Sequence, residues 1–407
     1  MNSRSGRRPS SPWAELPADV LSEITRHLHE AADSVRFHAV CRSWHRTPLP
    51  SPAPRFLPWL IPPCDDFSSG SGMRFRSPFA KTKDIHCRRQ LRSPRGTRLL
   101  LHSSDPTSGR VLAVDAAAHI RTRFGREASL VDPLTGDATS LPLLPPVLAV
   151  IRCWAKGVVA SNGSVVFHST VGVGHDPKTF VLRSGETSWE FVANVPCRPA
   201  GGVGSHDEDI LFLNRHTCRS AALCSSGVLP GGACPLPELP RQLVRGRHVF
   251  EAQGELLCVD VLDAEPYLRQ AAGAPAASVS VHALEVGGGG AAGSSPRWVE
   301  RGRGGVGNNV CLFLGREDSF AVDAREFTGG AEVTGGCAYF IARHPKWTAS
   351  KEVHGVYRYS FEDGTAAVVD ELPASFNTKS MWYTPRPRIS PVLTNHVLGT
   401  IGSETME

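Results

Sequence analysis

The hydrophobic pattern near the N-terminus predicts two short amphipathic helices. The first carries an apolar stripe with i, i+4 and i+8 spacing and one neighbour at i+1, formed by Val20, Leu21, Ile24 and Leu28. Pro17 can open this helix, because proline has no N–H to donate and its φ is already helical. Asp33 is placed to cap a second helix, whose apolar residues are Val35, Phe37, Val40, Cys41 and Trp44. About 35 residues bury too little surface to be stable alone, so these helices must share a core with the rest of the chain or with another protein.

Beyond residue 98 the pattern changes to many short apolar runs that are separated by turn signals. The runs are about four to seven residues long, which is the usual length of a β-strand. Turn dipeptides lie between neighbouring runs, at Asn162-Gly163, Ser184-Gly185, Gln253-Gly254 and Asp363-Gly364. A unit of strand, turn, strand and late tryptophan occurs at 157–192 with Trp189 and at 248–299 with Trp298, and a similar inner strand, 207–213, lies between them. Because repeats of about 45 residues with four short strands are typical of propeller blades, the pattern predicts a β-propeller in which both tryptophans pack between blades.

A propeller must join its two ends, because open sheet edges invite aggregation. We therefore expect the last strand-like segments to pack beside the earliest β segments, near 98–114; these last segments are 355–361, 366–372 and 381–383. Trp382 would anchor the junction, and Pro385 would end the strand because it cannot donate a ladder hydrogen bond. The competing hypothesis is that Trp382, Arg386 and Arg388 form an exposed site for a partner.

The composition of the 407-residue chain is that of a globular protein. Hydrophobic residues make up 41% and charged residues 20%, and 39 glycines with 32 prolines favour an all-β domain rich in turns. No apolar run approaches the ~20 residues of a membrane-spanning helix, so we expect no membrane partner. Residues 1–12 lack the apolar core of a secretory signal and contain Arg and Ser but no acid, which predicts a disordered tail or a transit peptide; we favour the tail.

The eleven cysteines indicate a reducing compartment rather than a disulfide framework or a zinc site. Their number is odd, none belongs to a Cys-x-x-Cys pair, and no histidine pair has zinc-ligand spacing. Cys258, Cys311 and Cys337 lie in apolar strand-like runs, where free cysteine behaves as a small buried hydrophobic residue. We therefore predict structural thiols, no metal ligand and no cofactor.

Two segments before the strands have a biased composition. Residues 48–63 hold seven prolines, which predicts an extended, semi-rigid linker over 49–73 whose apolar end, 56–61, packs where the linker meets the next domain. Residues 74–98 contain nine Lys or Arg and one acid, Asp84. This basic cluster is either a solvated connecting segment or a surface for an acidic partner. We do not expect nucleic acid, because no nucleic-acid fold signature accompanies the cluster.

The sequence contains no recognisable catalytic site. Gly302, Gly304 and Gly307 form a Gly-x-Gly-x-x-Gly string, but a strand-like run follows where a dinucleotide site needs a helix, so we expect a loop. Ser205-His206-Asp207 contains the residue types of a catalytic triad, but sequential neighbours in a strand cannot form the required chain of hydrogen bonds. The sixteen histidines show no metal spacing. We predict a protein that is not an enzyme.

The N-terminal helices closely resemble the F-box, the motif that docks on the Skp-type adaptor of cullin–RING ubiquitin ligases. The resemblance rests on Leu16-Pro17, on the spacing from this pair to Ile24 and Leu28, and on a following run that ends in Val-Cys-x-x-Trp. In that family the apolar residues of these helices pack against the adaptor. The resemblance implies this adaptor-binding role for Leu16, Pro17, Val20, Leu21, Ile24, Leu28, Val35, Val40, Cys41 and Trp44.

Motifs in the β-rich part are similar to those of plant F-box proteins. Residues 131–136 followed by Leu141-Pro142 look like their Asn-Pro-x-Thr-Gly and Leu-Pro signature. Later segments are similar to motifs of the subgroup that carries a KIB-type β-propeller: 311–315, 319–322, 337–340 and 381–387. The implied fold is α+β and multidomain, with a short all-α F-box followed by an all-β propeller. Its parts would be a disordered tail (1–12), the F-box (13–48), a Pro-rich linker (49–73), the propeller (74–388) and a C-terminal tail (389–407).

Together these resemblances imply the substrate receptor of a Skp–cullin–F-box E3 ubiquitin ligase, which holds a target near the ubiquitin-charged enzyme and makes no bond itself. Its partners would be the Skp-type adaptor, through it the cullin–RING ligase, and a target protein that the sequence does not identify. Two alternatives stay open. One is a scaffold or inhibitor that binds a partner such as a kinase without ubiquitination, and the other is an enzyme with a pocket in the propeller channel. An F-box protein of this kind is expected in the nucleus or the cytoplasm.

Overall fold

The described α-helices all lie near the N-terminus, and strands make up most of the remainder. The computed structural model describes residues 12–28, 30–48, 55–63, 73–80, 83–87, 99–105, 107–115, 126–145, 155–160, 162–169, 178–192, 203–206, 209–214, 219–224, 227–229, 244–263, 277–285, 297–302, 306–315, 318–327, 333–343 and 353–386. The contacts between residues divide the chain into two units, which are Met1–Pro54 with Pro387–Glu407, and Arg55–Arg386.

The N-terminal unit contains a 3-10 helix, Pro12–Glu15, and three α-helices: α1, Ala18–Arg26; α2, Ala31–His38; and α3, Arg42–His45. Pro17 precedes α1 as predicted, and its carbonyl accepts the first helical hydrogen bond from the Leu21 N–H at 3.1 Å. Leu21, Ala31 and Phe37 are the buried apolar residues described in this unit. The Phe37 ring also packs on the Trp44 indole of α3, with 4.6 Å between the ring centroids.

The prediction that Asp33 caps the second helix is wrong. The helix α2 begins earlier, at Ala31, because Ala31 and Ala32 have the strongest intrinsic preference for helix. Asp33 therefore lies in the first turn, where a negative charge interacts favourably with the helix dipole, and its carboxylate accepts a hydrogen bond from Arg36 at 2.6 Å. Trp44 belongs to α3, so the predicted second helix is in fact two helices.

The second unit contains six described sheets. Sheet 1 consists of β1 (Trp59–Ile61), β2 (Met73–Arg76), β3 (Asp84–Cys87) and the last strand, β25 (Met381–Tyr383), in the order β25-β1-β2-β3. Sheet 2 consists of β4 (Leu99–Asp105), β5 (Arg110–Asp115), β6 (Ala128–Val131) and β7 (Ala138–Ser140). Sheet 3 consists of β8 (Ala155–Val159), β9 (Val165–Ser169), β10 (Lys178–Leu182) and β11 (Glu190–Val192).

The remaining sheets follow in chain order. Sheet 4 consists of β12 (Val203–His206), β13 (Asp209–Asn214), β14 (Arg219–Cys224) and β15 (Gly227–Leu229). Sheet 5 consists of β16 (Val244–Ala252), β17 (Glu255–Asp263), β18 (Ala277–Glu285) and β19 (Arg297–Arg301). Sheet 6 consists of β20 (Val310–Leu314), β21 (Ser319–Asp323), β22 (Cys337–Arg343), β23 (His354–Ser360) and β24 (Thr365–Leu372). The unit is an all-β propeller with these sheets as its blades.

The hairpin turns lie where the turn dipeptides predict them. At the β16–β17 turn, Gln253 has φ 53° and Gly254 has φ 79°, the pair of positive φ values that a tight two-residue hairpin requires. The other predicted turn glycines also have positive φ: Gly163, Gly185 and Gly364. The apolar runs on either side of these turn residues therefore correspond to paired strands of β-hairpins.

Sheet 6 departs from the simple antiparallel meander of sheets 2 to 5. Its order is β21-β20-β22-β23-β24, and β20 pairs with β22 in parallel. The β20–β21 hairpin forms one side of the sheet, with β21 at its edge. β22, β23 and β24 follow in order toward the other edge, so the sheet has five strands.

Neighbouring sheets pack face to face through apolar clusters. One cluster joins sheets 2 and 3 through Leu112 on β5 and Phe167 on β9. Trp189 packs against this cluster, and its indole N–H donates to the Pro142 carbonyl at 3.0 Å, so the predicted packing of this tryptophan between blades is confirmed. The described apolar contacts of Trp298 are with its own sheet.

The predicted closure is confirmed for the last strand. β25 pairs antiparallel with β1, with Leu60 opposite Trp382. Trp382 is fully buried, and its indole N–H donates to the Leu314 carbonyl of sheet 6 at 3.2 Å. The Ser104 hydroxyl at the end of β4 hydrogen-bonds to the Trp382 carbonyl at 2.6 Å, so β25 also contacts sheet 2. The hypothesis of an exposed partner site is therefore wrong for Trp382, and Arg388 lies outside the described residues.

Two details of the sequence prediction are wrong. Segments 355–361 and 366–372 correspond to β23 and β24, outer strands of sheet 6, rather than to strands beside β4. The first strand starts at Trp59, within the predicted linker 49–73 and before the predicted propeller start at residue 74. All three residues of β1 are fully buried and pair with β25, and Leu60 also pairs with Arg76 of β2. The prolines flank this strand instead of interrupting its ladder.

Candidate functional site

The predicted docking surface lies on the N-terminal unit, and its residues differ in exposure. Val20 is 40% exposed and Val40 is 55% exposed, and Pro17 is also exposed. The other predicted residues with accessible surface are partly exposed: Leu16, Ile24, Leu28, Val35, Cys41 and Trp44. Covering apolar surface contributes about 25 cal/mol per Å² to association. These side chains therefore offer apolar surface that a partner can cover.

Leu21 is the one residue of the predicted docking set that is buried within the N-terminal unit. Its exposed fraction is 2%, similar to that of Ala31 and Phe37. In the i, i+1 pair of the α1 stripe, Val20 points outward and Leu21 points into the unit, because neighbouring residues on a helix lie about 100° apart. In this structure Leu21 therefore packs among the helices of the unit, and its contact with the adaptor stays a prediction.

Trp13 extends the apolar surface and was missed by sequence reasoning. Its side chain is 66% exposed. The 3-10 helix that carries it is tied to α3 by two hydrogen bonds, from the Trp44 indole N–H to the Trp13 carbonyl at 2.8 Å and from the Ser43 hydroxyl to the Ala14 carbonyl at 3.2 Å. Trp13 lies before the periodic stripe, so hydrophobic spacing gave no sign of it. A large aromatic side chain so exposed next to other apolar residues is typical of interaction surfaces.

The polar groups of the N-terminal unit include one buried histidine. His38 is 4% exposed, and burial, together with the charge of the neighbouring His45 at 6.3 Å between ring centroids, lowers the pKa of its imidazole, although the backbone of His45 and Trp44 favours the charged form. The exposed ion pairs Arg26–Glu23 and Arg36–Asp33 contribute little, because solvent screens them.

We expect the N-terminal unit to lose stability in mild acid. The folded unit keeps His38 neutral, whereas the unfolded chain binds a proton near the ordinary histidine pKa of 6.5. The unfolded state therefore gains protons first, and stability decreases as the pH falls below 6.5 toward the lowered folded pKa. Amide exchange in α2, corrected for intrinsic rates and compared at about pH 7.5 and about pH 5.5, should show this loss. The variant His38→Gln has no titrating group at this position, and an equal pH dependence in it would contradict the assignment.

In the propeller, four charged side chains join sheet 1 to the outer strand of sheet 6. Arg76 on β2 donates twice to the buried Asp370 carboxylate on β24, at 2.6 and 2.9 Å. Lys83 donates to the same carboxylate at 2.6 Å, and Arg76 also donates to Asp84 at 2.7 Å. Burial opposes the charge of Arg76, but these hydrogen bonds outweigh it and raise the pKa of the guanidinium. Arg76 and Lys83 of the predicted basic cluster are thus ion-pair partners within the propeller; Arg76 is buried, and the Lys83 side chain is 37% exposed.

The rest of that basic cluster is only partly described. Arg74 on β2 is exposed and lies opposite His86 on β3, which is exposed as well. Residues 88–98 lie outside the described residues. The acidic-partner interpretation of the cluster therefore stays a prediction.

A second polar group connects the sheets at the junction that β25 closes. The backbone N–H of Ser104 donates to the Asp318 carboxylate at 3.1 Å. The Ser104 hydroxyl lies 2.6 Å from the same carboxylate and 2.6 Å from the Trp382 carbonyl, so its single proton serves two alternative acceptors. The Ser319 hydroxyl on β21 lies 3.0 Å from Nδ1 of His248 on β16, and it also hydrogen-bonds to the backbone of Gly315 at 3.2 Å. These contacts join β4 to sheet 6 and sheet 6 to sheet 5, so this serine and this histidine have structural partners.

The predicted buried thiols have the expected environment. Cys258 and Cys311 are fully buried and Cys337 is 3% exposed, and none of the three forms a disulfide. Burial raises the pKa of Cys311 to about 12 and also raises that of Cys337, so these thiols stay protonated. Among the residues that the structure describes, no group of three or more His, Cys, Asp or Glu is placed to hold a metal ion.

The described residues of the Gly-x-Gly-x-x-Gly string and of the Ser-His-Asp string lie on strands or next to them. Gly302 follows β19 and Gly307 lies in the turn before β20, so no helix opens after the glycine string; Gly304 is outside the described residues. Ser205 and His206 are neighbours on β12, and Asp207 is not described. No helix in the described ranges is long and apolar enough to span a bilayer.

The motif at residues 131–136 has a structural explanation. Asp132 follows β6, and its side chain accepts hydrogen bonds from the backbone N–H groups of Leu134 at 2.8 Å and Thr135 at 3.3 Å. Gly136, with φ 75°, donates its N–H to the Asp132 carbonyl at 2.8 Å. Aspartate and glycine are the residues that such a turn prefers. The motif is thus the β6–β7 hairpin turn.

Comparison with known families agrees with this architecture. The model of the KIB1-4 beta-propeller family matches residues 76–358, and an F-box-like model matches residues 13–47. The first match covers well over half of the 407 residues. No curated protein matches the chain.

Similar solved structures are distant in sequence. TolB from Acinetobacter baumannii is 10% identical, with 85% of this chain and 71% of TolB covered and a TM-score of 0.39. An oligogalacturonate lyase in complex with manganese is 11% identical, with coverages of 74% and 70% and a TM-score of 0.34. The polysaccharide lyase Uly1 is 14% identical, with coverages of 49% and 51% and a TM-score of 0.28. Similarities at these TM-scores support no inference about this protein.

Proposed function

Because this chain belongs to the KIB1-4 β-propeller family and also carries an F-box-like domain, we propose that it is the substrate-recognition subunit of a Skp–cullin–F-box E3 ubiquitin ligase. The F-box-like domain would bind the Skp-type adaptor, which connects it to the cullin and the RING subunit. The propeller would bind the target protein. The buried free thiols suit a reducing compartment, and we propose that the protein acts in the nucleus or the cytoplasm.

The observation that carries this proposal is the exposed apolar surface of the F-box-like domain. Val20, Val40 and Trp13 are exposed large hydrophobic residues on a domain of three short helices. A domain so small has little core of its own, and a partner that covers these residues would supply the missing burial. This supports a docking role for the domain and leaves the propeller free to present loops to a target.

F-box and propeller domains are typical of receptor subunits that do not catalyse a reaction. We propose that this chain contributes proximity: it would hold a lysine of the target near the ubiquitin-charged enzyme and so replace a bimolecular encounter by an intramolecular one. The described serine and histidine contacts at the sheet junctions support this view, because they join strands to one another.

Charge introduced into the docking surface should abolish adaptor binding. In the variant Val20→Asp with Val40→Asp, two exposed positions receive carboxylates that the adaptor interface would have to bury unpaired. We expect adaptor affinity to fall at least about 30-fold, which corresponds to about 2 kcal/mol. The matched control is Arg26→Gln with Arg36→Gln, which changes the net charge by the same amount at exposed polar positions of α1 and α2. Co-purification and titration calorimetry with a recombinant Skp-type adaptor would measure both variants.

Undiminished adaptor binding by the aspartate variant would contradict the F-box assignment. The non-degradative alternative is tested separately, on the target. If binding leads to degradation, the level of a captured target should rise when the proteasome is inhibited and should fall when the chain is overexpressed. A target whose level responds to neither treatment would favour the scaffold or inhibitor that binds its partner without ubiquitination.

A further inference from the structure

The outermost strand of sheet 6 is an open edge. Sheet 6 has five strands and each of the other sheets has four, so β24 extends one strand further outward than any blade edge described. On its inner side β24 pairs with β23, and no strand of the described part pairs with its outer side. The outer side of an edge strand carries backbone N–H and C=O groups that can pair with another extended chain.

The sequence of β24 lacks the usual protection of an open edge. Lysine and proline commonly block such edges, but residues 361–372 contain no Lys, Arg or Pro. Residues 365–369 are threonine, alanine and valine, and Val368 is 41% exposed. The protective features lie at the far end of the strand. They are a bulge at Val369, since the register passes from Val368 opposite Tyr357 to Asp370 opposite Val356, and the charged residues Asp370 and Glu371 beyond it. The regular part of the open edge is therefore 365–368.

This edge is held rigidly in place. Ala366 packs against the apolar cluster that sheets 5 and 6 share. Beyond the bulge, the Asp370 carboxylate is fixed by Arg76 and Lys83 of the neighbouring sheet. A strand that is already ordered loses little conformational entropy when a partner binds to it.

The charges around the edge indicate the chemistry of its partner. Glu362 and Asp363 are exposed in the turn before β24, and no basic residue lies within 361–372. A partner with lysine or arginine beside an apolar segment complements this charge, whereas an acidic partner is repelled. We propose that residues 365–368 bind an extended, basic and apolar segment of the target protein as an added β-strand, with an apolar side chain next to Val368. This inference rests on the proposed function, because it names the surface through which the receptor holds its target.

The test uses the full chain bound to its Skp-type adaptor and a displayed library of random 12-residue peptides. We expect enriched peptides to alternate apolar residues and to carry Lys or Arg near one end. Their binding should slow amide exchange within residues 365–368. The variant Val368→Lys should weaken the enriched peptides at least tenfold, because the lysine repels the basic segment and disturbs the added strand. The matched control is Phe191→Lys on β11, another outer strand with an exposed apolar residue, which should leave peptide affinity unchanged.

Three results of the peptide selection would overturn the proposal. They are an absence of enrichment over the display background, enriched peptides that bind Val368→Lys as well as the parent, and enriched peptides that are acidic. A chain that sediments as a dimer and becomes a monomer in Val368→Lys would show that the edge pairs with a second copy, which would also overturn binding of a target. Adaptor affinity is measured on the same samples and should be unaffected by either lysine variant. Failure of the F-box assignment is thereby distinguished from failure of the β24 edge.

Discussion

The substitution Trp382→Ala should destabilise the propeller by about 3–5 kcal/mol, the usual cost of truncating a fully buried tryptophan. Trp382 is 0% exposed and packs edge-on against Phe313, with 5.2 Å between ring centroids. Its loss also leaves the Leu314 carbonyl without the indole N–H that it accepts at 3.2 Å. Because a domain is typically stable by about 5–15 kcal/mol, this change removes a large share of the total. Urea unfolding followed by circular dichroism would measure the loss as a lower midpoint.

The control for this prediction is Phe191→Ala. Phe191 is an aromatic residue on an outer strand, and its exposed fraction is 52%, so its truncation should cost only about 1 kcal/mol. Equal losses in the two variants would mean that Trp382 is no more important for closure than a residue of the blade periphery. A Trp382→Ala midpoint that matches the parent would contradict the closure described for β25.

The second large effect is expected at Asp370. The variant Asp370→Ala should cost about 3–5 kcal/mol, because it leaves Arg76 and Lys83 without the carboxylate that compensates their charge at the sheet interface. The Asp370 side chain is 3% exposed and that of Arg76 is 10% exposed, so solvent cannot replace the lost partner well. Thermal unfolding at constant pH would show the loss as a lower melting temperature.

Asp84→Ala is the matched control for Asp370→Ala. Asp84 also accepts a hydrogen bond from Arg76, at 2.7 Å, but its side chain is 55% exposed. Exposed ion pairs contribute about 0–1 kcal/mol, so this variant should melt close to the parent. Similar losses for Asp84→Ala and Asp370→Ala would show that burial of the carboxylate does not decide its contribution.

Local signals in the sequence predicted the elements better than their partners. The helix α1 and the turn dipeptides depend on residues a few positions apart, and both are confirmed, although α1 ends at Arg26, before Leu28 of the predicted stripe. The start of α2 was missed because two local signals compete there: the capping preference of Asp33 and the helix preference of Ala31 and Ala32. The sequence does not show which of the two contributes more free energy. β1 was missed for a similar reason: its prolines indicate a linker, yet they flank the strand.

Long-range features could not be read from the chain. Arg76 and Asp370 are 294 positions apart, and nothing in the neighbourhood of either residue indicates the other. The basic cluster was therefore interpreted as one surface, whereas Arg76 and Lys83 form ion pairs with Asp370 within the propeller. The parallel pairing of β20 with β22 is equally hidden, because alternating or continuous apolar runs give the length of a strand and not its neighbour. For the predicted docking surface, spacing placed Val20 and Leu21 on one stripe, and only the packed unit shows that Val20 is exposed while Leu21 is buried.

The pairing of β1 with β25 has a consequence for synthesis of the protein. Residues 59–61 are synthesised early, but they can pair with residues 381–383 only after β25, the last of the described strands, has been made. Pairings so distant along the chain fold slowly, and until they form, sheet 1 presents an open edge to other nascent chains. The F-box-like segment, by contrast, is complete after the first few dozen residues. On the function proposed above, a chain truncated before residue 381 would carry the F-box-like segment on an unfinished propeller, and would compete with the full-length protein for the adaptor.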